Sequence, residues 1–303
     1  MAISRKSFLT SLGTLAGITS LTSKTSAQGY ITSEQRKAHE KMLDPDRIGV
    51  LSDLTMCIGC RKCEFACGEN NDLPHGQLHD YDDNTVFQNF RRPTDTQYTV
   101  VNRYPGMGIN GTDLDVKVQC MHCEHPACVS ACIVGALEKL PTGPVTYDAS
   151  KCIGCRYCMV ACPFQIPQYE YNNALTPKVM KCGLCFEQSV QKGELPACVS
   201  ICPREVMVFG KRSELVELAH ERIRTNPDRY VDHVYGEHEV GGTSWMYISN
   251  VPFSEIDLPQ LDADCPAHLT ETIQHGVFKG FSGPILLFGL LGLATKLYNK
   301  EEE

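Results

Sequence analysis

No basic stripe with interleaved aromatics runs along this 303-residue chain, and its formal net charge is −8, so nucleic acid is not an expected partner. The acidic residues are scattered, apart from Glu301, Glu302 and Glu303 at the end. No nucleophile–base pair, phosphate-binding glycine loop or open metal site is visible, which excludes most bond-making chemistry. Hydrophobic residues make up only 42% of a chain long enough for two compact domains. An interior built partly from something other than side chains explains that shortfall.

Cysteine is what the chain has in excess. Sixteen of its seventeen cysteines fall into four groups of four. The first is Cys57, Cys60, Cys63 and Cys67, spaced C-x2-C-x2-C-x3-C. The second is Cys120, Cys123, Cys128 and Cys132. The third, Cys152, Cys155, Cys158 and Cys162, repeats the first spacing and ends in Pro163. The fourth is Cys182, Cys185, Cys198 and Cys202, ending in Pro203. Three thiolates in so short a run suit one face of an iron–sulfur cubane, with loop amides pointing at the sulfurs and the last cysteine ligating a neighbouring cluster. Sixteen ligands read as four 4Fe–4S clusters. Structural zinc wants two pairs without a crowded third cysteine. Disulfides serve small domains and fit poorly inside a helical turn.

The groups alternate in type. LTMCIGCRKCEFAC (54–67) matches ASKCIGCRYCMVACP (150–163), and PACVSAC (126–132) matches PACVSIC (196–202), so the order is that of a duplicated unit. From the second group into the third the chain reads as one continuous ferredoxin: IVGALEKL, a turn at Pro141 to Pro144, the strand VTYD, then the next cluster loop. Groups two and three then pair. One cluster takes Cys120, Cys123, Cys128 and Cys162, and its neighbour Cys132, Cys152, Cys155 and Cys158. Groups one and four pair by elimination, as a permuted ferredoxin with clusters on Cys57, Cys60, Cys63, Cys202 and on Cys67, Cys182, Cys185, Cys198. The alternative joins one with two and three with four. Against it stands the 52-residue insertion Gly68 to Gln119, since a ferredoxin hairpin connection is short.

That insertion, rich in Asp, Asn and Gly with a strand at Tyr98 to Arg103, is expected to decorate the core and touch a partner. Lys211 to Arg224 reads as an amphipathic helix with Leu215, Leu218, Ala219 and Ile223 on one side. Residues 226–265 read as irregular, apart from a strand at Ser244 to Ser249, and are expected to wrap a neighbour.

Both ends carry address-like segments. Arg5 and Lys6, a weakly apolar stretch from Phe8 to Thr19 and Thr25-Ser26-Ala27 make an export signal. Ser4 to Leu9 resembles the twin-arginine consensus, with Lys6 in place of the second arginine. The Gly/Ser/Thr-rich middle and Lys24 also fit export of a folded protein. At the other end Gly280 to Ala294 is apolar between Lys279 and Lys296. The sixteen intervening residues give roughly 24 Å of helix at ~1.5 Å per residue. A ~30 Å hydrocarbon core is reached if both lysines extend to the headgroups. The stretch has no polar face, so membrane insertion is favoured over a buried helix.

The expected fold is α+β: two ferredoxin-like two-cluster units in tandem with permuted pairing, loop insertions and a C-terminal transmembrane helix. Its parts are an export signal at 1–27, the first cluster loop plus insertion at 28–119 and a central two-cluster unit at 120–170. The fourth group follows at 171–210, a partner-docking extension at 211–278, the membrane helix at 279–298 and a cytoplasmic tail at 299–303.

Around the ligands, Arg61, Lys62, Lys151, Arg156 and Lys181 place positive charge beside anionic clusters and favour their reduced forms. Gly59, Gly154 and Gly183 let amides approach sulfur without a Cβ clash. His122 and His125 lie inside a complete thiolate set, so packing or orientation is expected of them rather than ligation. His275 precedes the apolar segment, where it caps the helix or meets a quinone. Cys265 lies outside the four groups and reads as structural.

The cysteine groups, CIGCRYCMVACPF, QCMHCEHPACVSAC and the leader resemble the four-cluster B-subunit family of bacterial respiratory oxidoreductases. KCIGCRYCMVACPFQIPQYEYNN, YGEHEVGGTSWMYISNVPF, IDLP and IQHGVFKG are similar to its HybA-type branch, the iron–sulfur subunits of membrane-bound nickel–iron uptake hydrogenases. The resemblance implies an electron relay between hydrogenase catalytic subunits and a quinone-binding membrane subunit, at the periplasmic face of the inner membrane. It also implies that the cluster of Cys57, Cys60, Cys63 and Cys202 is nearest the catalytic side, and that of Cys132, Cys152, Cys155 and Cys158 nearest the membrane. A molybdopterin-dependent reductase is the alternative partner.

Overall fold

The computed structural model describes residues 43–173, 178–267, 271 and 286–292. In chain order its elements are β1 (Ile48–Asp53), α1 (Lys62–Asn70), β2 (Val100–Tyr104), β3 (Leu114–Val118), α2 (Ala127–Ser130), β4 (Leu137–Lys139), β5 (Val145–Tyr147) and α3 (Tyr157–Ala161). Then come β6 (Gln168–Tyr169), β7 (Val179–Met180), α4 (Ala197–Ser200), β8 (Met207–Lys211), α5 (Arg212–Thr225) and β9 (Trp245–Ile248). Helices and strands are mixed, as an α+β chain requires.

β1 lies at the centre of a three-stranded sheet, antiparallel to β8 with Val50 opposite Phe209, and parallel to β9 with Val50 opposite Trp245. Successive side chains point to opposite faces, and each face has its own core. Val50, Trp245 and Tyr247 pack on the cysteine-bearing side with Leu54, Val206 and Met207. Leu51, Met246 and Ile248 pack on the other, against α5. That helix presents Leu215, Ala219 and Ile223, spaced four apart and so on one face, with Leu218 partly buried beside them. Each large aliphatic side chain fully buried contributes about 1.5–3 kcal/mol, so the α5 face stabilises the sheet substantially.

Residues 226–265 carry the expected strand, and much of the segment packs into the chain's own core. Trp245, Met246, Tyr247 and Ile248 are all buried, and the Trp245 indole donates to Ser52 Oγ at 2.9 Å. The segment looks polar because its polar groups are satisfied inside: Glu239 accepts the Gly236 N–H at 2.6 Å, and Thr243 Oγ1 donates to the Gly236 carbonyl at 3.1 Å. The insertion, in turn, does more than decorate. β2 pairs antiparallel with β3, Val100 opposite Val118, and every residue of β3 is buried. Leu114, Val116 and Val118 join the main core, which leaves Asp115 and Lys117 on the face turned to the cysteine loops.

The hairpin between the second and third groups forms as the sequence expects. β4 pairs with β5, Leu137 opposite Tyr147, and the Leu140 N–H closes the turn onto the Pro144 carbonyl at 2.8 Å. α2 packs against α3, and α1 against α4. The leader at 1–27, His275 and most of the apolar stretch at 279–298 lie outside the described residues. Residues 286–292 are helical with Leu286, Leu287 and Phe288 exposed. Among the described residues no helix is long and apolar enough to cross a membrane.

Candidate metal centres

Groups one and three are built alike. Gly59 and Gly154 have φ of +65° and +68°, and Arg61 and Arg156, at +56° and +62°, turn the chain left-handed immediately before α1 and α3. A Cβ at Gly59 would come within 2.6 Å of Asp115 Oδ1, so glycine is required there. At the arginines the left-handed backbone costs roughly 1–2 kcal/mol. Both loops accept it at the same place, and in both the three leading cysteines face one cavity. Groups two and four match each other as closely. α2 and α4 are both ACVS, each preceded by proline and closed by an N–H of Ala131 or Ile201 onto the first helical carbonyl, at 2.9 and 3.1 Å.

Cysteines from different groups are brought together. Cys57, Cys60, Cys63 and Cys202 line one pocket. Cys132, Cys152, Cys155 and Cys158 line another. Cys67 lies in electrostatic reach of Cys182, Cys198 and Cys185, and Cys123 in reach of Cys162, Cys120 and Cys128. No three Cys, His, Asp or Glu side chains among the described residues converge as a single ion requires. The cysteines instead ring wider spaces, and no disulfide joins them.

Burial dominates the chemistry of these thiols. It pushes Cys57 and Cys182 up to about 12 and Cys158 up to about 11, with neighbouring thiols adding to the effect. Cys63, Cys67 and Cys123 are driven well above the ordinary thiol range for the same reason. Thiolates crowded in a dry interior need positive charge to exist, and iron provides it. Amide donors for sulfur are in place: Ala136 N–H to Cys132 Sγ at 3.1 Å, Leu184 to Cys182 at 3.3 Å and Gly154 to Cys152 at 3.4 Å. The residues present fit iron–sulfur groups.

The cations singled out by sequence take varied positions. Arg61 borders the first cavity, but its guanidinium donates to Glu64 at 3.1 and 3.2 Å and to the Asp83 carbonyl at 3.0 Å. Glu64 also takes Arg91 and the Val101 N–H, so this network ties α1 to the insertion. Arg156 borders the fourth-set cavity and lies over Tyr169 at 4.8 Å. Lys181 is buried, donating to the carbonyls of Val145 at 2.6 Å and Cys182 at 2.8 Å. Lys151 is a surface partner of Asp148. His122 is buried and its Nδ1 accepts the Val145 N–H at 3.0 Å; burial, then Lys181 and Lys139, hold the ring neutral. The Cys265 thiol donates to the His125 carbonyl at 3.1 Å, inside a small cluster with Ala127 and Ala267.

Cysteine spacing does not point to two other groups of residues. Glu124 is buried against Lys139 at 3.4 Å, Arg212 at 3.9 Å and Arg47, and accepts from Ser244 Oγ at 2.9 Å. It joins the second group's loop to the segment before β9. Lys117 on β3 is buried with its ammonium 4.4 Å from the Trp245 ring centre and 2.8 Å from Gln119 Oε1. Burial pulls its pKa down, and the thiolates of Cys198, Cys63 and Cys182 more than offset that. The signal for Lys117 is its place between Val116 and Val118, in a strand that runs straight into Cys120.

Residues 115–212 match the family model of the 4Fe-4S dicluster domain. The chain is 49% identical over 255 residues to a protein of Nitratidesulfovibrio vulgaris strain Hildenborough, covering 82% of this chain and 65% of that one. It is 35% identical over 288 residues to the hydrogenase-2 operon protein HybA of Escherichia coli O157:H7, covering 85% and 87% of the two. Over 249 residues it is 34% identical to the iron–sulfur subunit of the nitrate-inducible formate dehydrogenase of Escherichia coli K12, covering 80% and 81%. The chain belongs to the iron–sulfur subunit family that these relatives share, built on the 4Fe-4S dicluster domain.

Proposed function

We propose that this chain is an electron-transfer subunit holding four 4Fe–4S clusters, with no catalytic site of its own. The ligand sets are Cys57, Cys60, Cys63 and Cys202; Cys67, Cys182, Cys185 and Cys198; Cys120, Cys123, Cys128 and Cys162; and Cys132, Cys152, Cys155 and Cys158. The observation that carries this reading is the succession of neighbouring thiols. Cys63 of the first set lies in reach of Cys198 of the second, Cys182 of the second in reach of Cys120 of the third, and Cys128 of the third in reach of Cys158 of the fourth. These three pairs link the four proposed sets one after another, which supports a relay. Clusters bound there would supply a one-electron carrier at each position. Arg61 and Arg156 place positive charge beside the first and fourth sets, and Lys181 beside Cys128 of the third.

The two ends of the series differ. Ile58 is exposed beside the first cavity. At the fourth set Cys155 is exposed, and Ile133, Ile153, Tyr157, Val160 and Tyr171 around that region are exposed too. An apolar rim of this kind suits burial against a partner. We assign the first end to hydrogenase catalytic subunits and the fourth to a quinone-binding membrane subunit, a reading that the likeness to HybA supports. The leader at 1–27 then carries the folded chain to the periplasmic face of the inner membrane, and 279–298 anchors it. A second reading, pairing with a molybdopterin-dependent reductase or a formate dehydrogenase, is favoured by the 34% identical relative.

The purified chain should be brown, with about sixteen irons and little zinc. Stoichiometric zinc with few irons would remove the reading. Cys202→Ser should perturb the EPR signal of the first set, and Cys162→Ser that of the third. Loss of the first-set signal on changing Cys162 overturns the ligand assignment. Nickel or molybdenum in the purified complex separates the two partner readings.

A further inference from the structure

Lys117 is a buried cation without a carboxylate partner among the described ion pairs. Its ammonium donates to a neutral amide, Gln119 Oε1 at 2.8 Å, and rests on the Trp245 ring. The surrounding polar groups are neutral and occupied with one another: Gln119 Nε2 donates to the Tyr247 hydroxyl at 2.6 Å, which donates to the Lys117 carbonyl at 2.9 Å. A buried, unpaired ammonium costs several kcal/mol, and proteins place such a group where opposite charge meets it. The groups able to carry negative charge around Lys117 include the thiols of Cys63 in the first set and of Cys67, Cys182, Cys185 and Cys198 in the second. The lysine also lines the first cavity itself.

We propose that Lys117 is a single positive charge shared between the first and second cysteine sets. It raises the reduction potentials of the clusters they hold and weakens the repulsion between the electrons those clusters accept. The inference rests on the four-cluster reading. Net charge and hydrogen bonding near a cluster are levers on its potential, and a cation in electrostatic reach of two sites acts on both. Lys117 is a leading cation at Cys63, Cys67, Cys182 and Cys185, whereas the leading cations at Cys123 and Cys128 of the third set are Lys139 and Lys181.

The test is redox-poised EPR on the intact complex, with signals assigned through Cys202→Ser and Cys182→Ser. Wild-type complex without four clusters would sink the cluster reading before Lys117 is tested. Given four clusters, Lys117→Met should lower the potentials of the first two by at least tenfold in the reduction equilibrium, about 59 mV for one electron. The other two should stay in place, and Lys117→Arg should restore the wild-type pattern. Selective loss of the first two clusters in Lys117→Met, with the others retained, also supports the proposal. Four intact clusters at unchanged potentials overturn it, as does an equal shift of all four. If Lys117→Met does not accumulate, Lys117→Arg decides: assembly with wild-type potentials upholds the shared charge, and failure makes the lysine a packing element.

Discussion

Asp53 Oδ1 accepts the Thr55 N–H at 3.1 Å, and Asp148 Oδ1 accepts the Ser150 N–H at 2.9 Å, at matching places in two copies of one loop. Each aspartate caps the single turn of 3-10 helix that delivers the first cysteine of its group. The copies have since diverged. Asp148 is at the surface with Lys151 at 3.2 Å. Asp53 is buried and also takes the Tyr230 hydroxyl at 2.7 Å and Arg222 at 3.1 Å, which ties the first loop to α5.

That difference sets a first prediction. Asp53→Ala leaves Arg222, Tyr230 and the loop N–H without their acceptor and should cost about 3 kcal/mol. Asp148→Ala loses a solvated cap and should cost clearly less. Thermal melts of the two cluster-loaded variants compare them. Equal losses would mean that the cap alone matters and that the α5 network contributes nothing.

Glu124 supports a second. It is the carboxylate that Lys139, Arg212 and Arg47 share beside the second cysteine group. Glu124→Gln removes the charge and strands buried cations, which typically costs about 3–5 kcal/mol. The double variant Glu124→Gln/Lys139→Met should recover part of that loss, since one stranded cation has gone with it. Denaturation midpoints of the single and double variants measure the coupling. A single variant within 1 kcal/mol of wild type, on the scale of an exposed pair, would show that water reaches this site.

The cluster loops were legible because their chemistry is local. C-x2-C-x2-C, a glycine between cysteines and PACVS each describe a few consecutive residues, and the structure repeats them as near copies. The helix at 212–225 and the β4–β5 hairpin were legible through period and turn residues. The inward course of 226–265 was not, because Thr243, Ser244 and Glu239 look solvent-facing until their partners at Gly236, Glu124 and Lys139 are known. Lys117 was hidden likewise. A lysine in a strand reads as surface, and only the packing of β3 beside the first and fourth cysteine groups reverses that.

The last prediction concerns the exposed end of the sulfur series. Val160 on α3 is 82% exposed and Ile153, beside Cys152, is 61% exposed, so neither contributes much to the chain's own core. Substitution at such a surface position usually changes stability by no more than about 0.5 kcal/mol. Val160→Glu should therefore leave iron content, melting and activity with a soluble dye unchanged. If the rim around the fourth set docks on the membrane partner, the new carboxylate must be buried unpaired there, and quinone reduction by the complex should fall at least tenfold, equivalent to about 1.4 kcal/mol. Phe90→Glu is the control, since Phe90 is 50% exposed but lies in the insertion. Equal loss in both variants would point to a general effect of surface charge. Full quinone coupling in Val160→Glu would place the exit for electrons at another face of the chain.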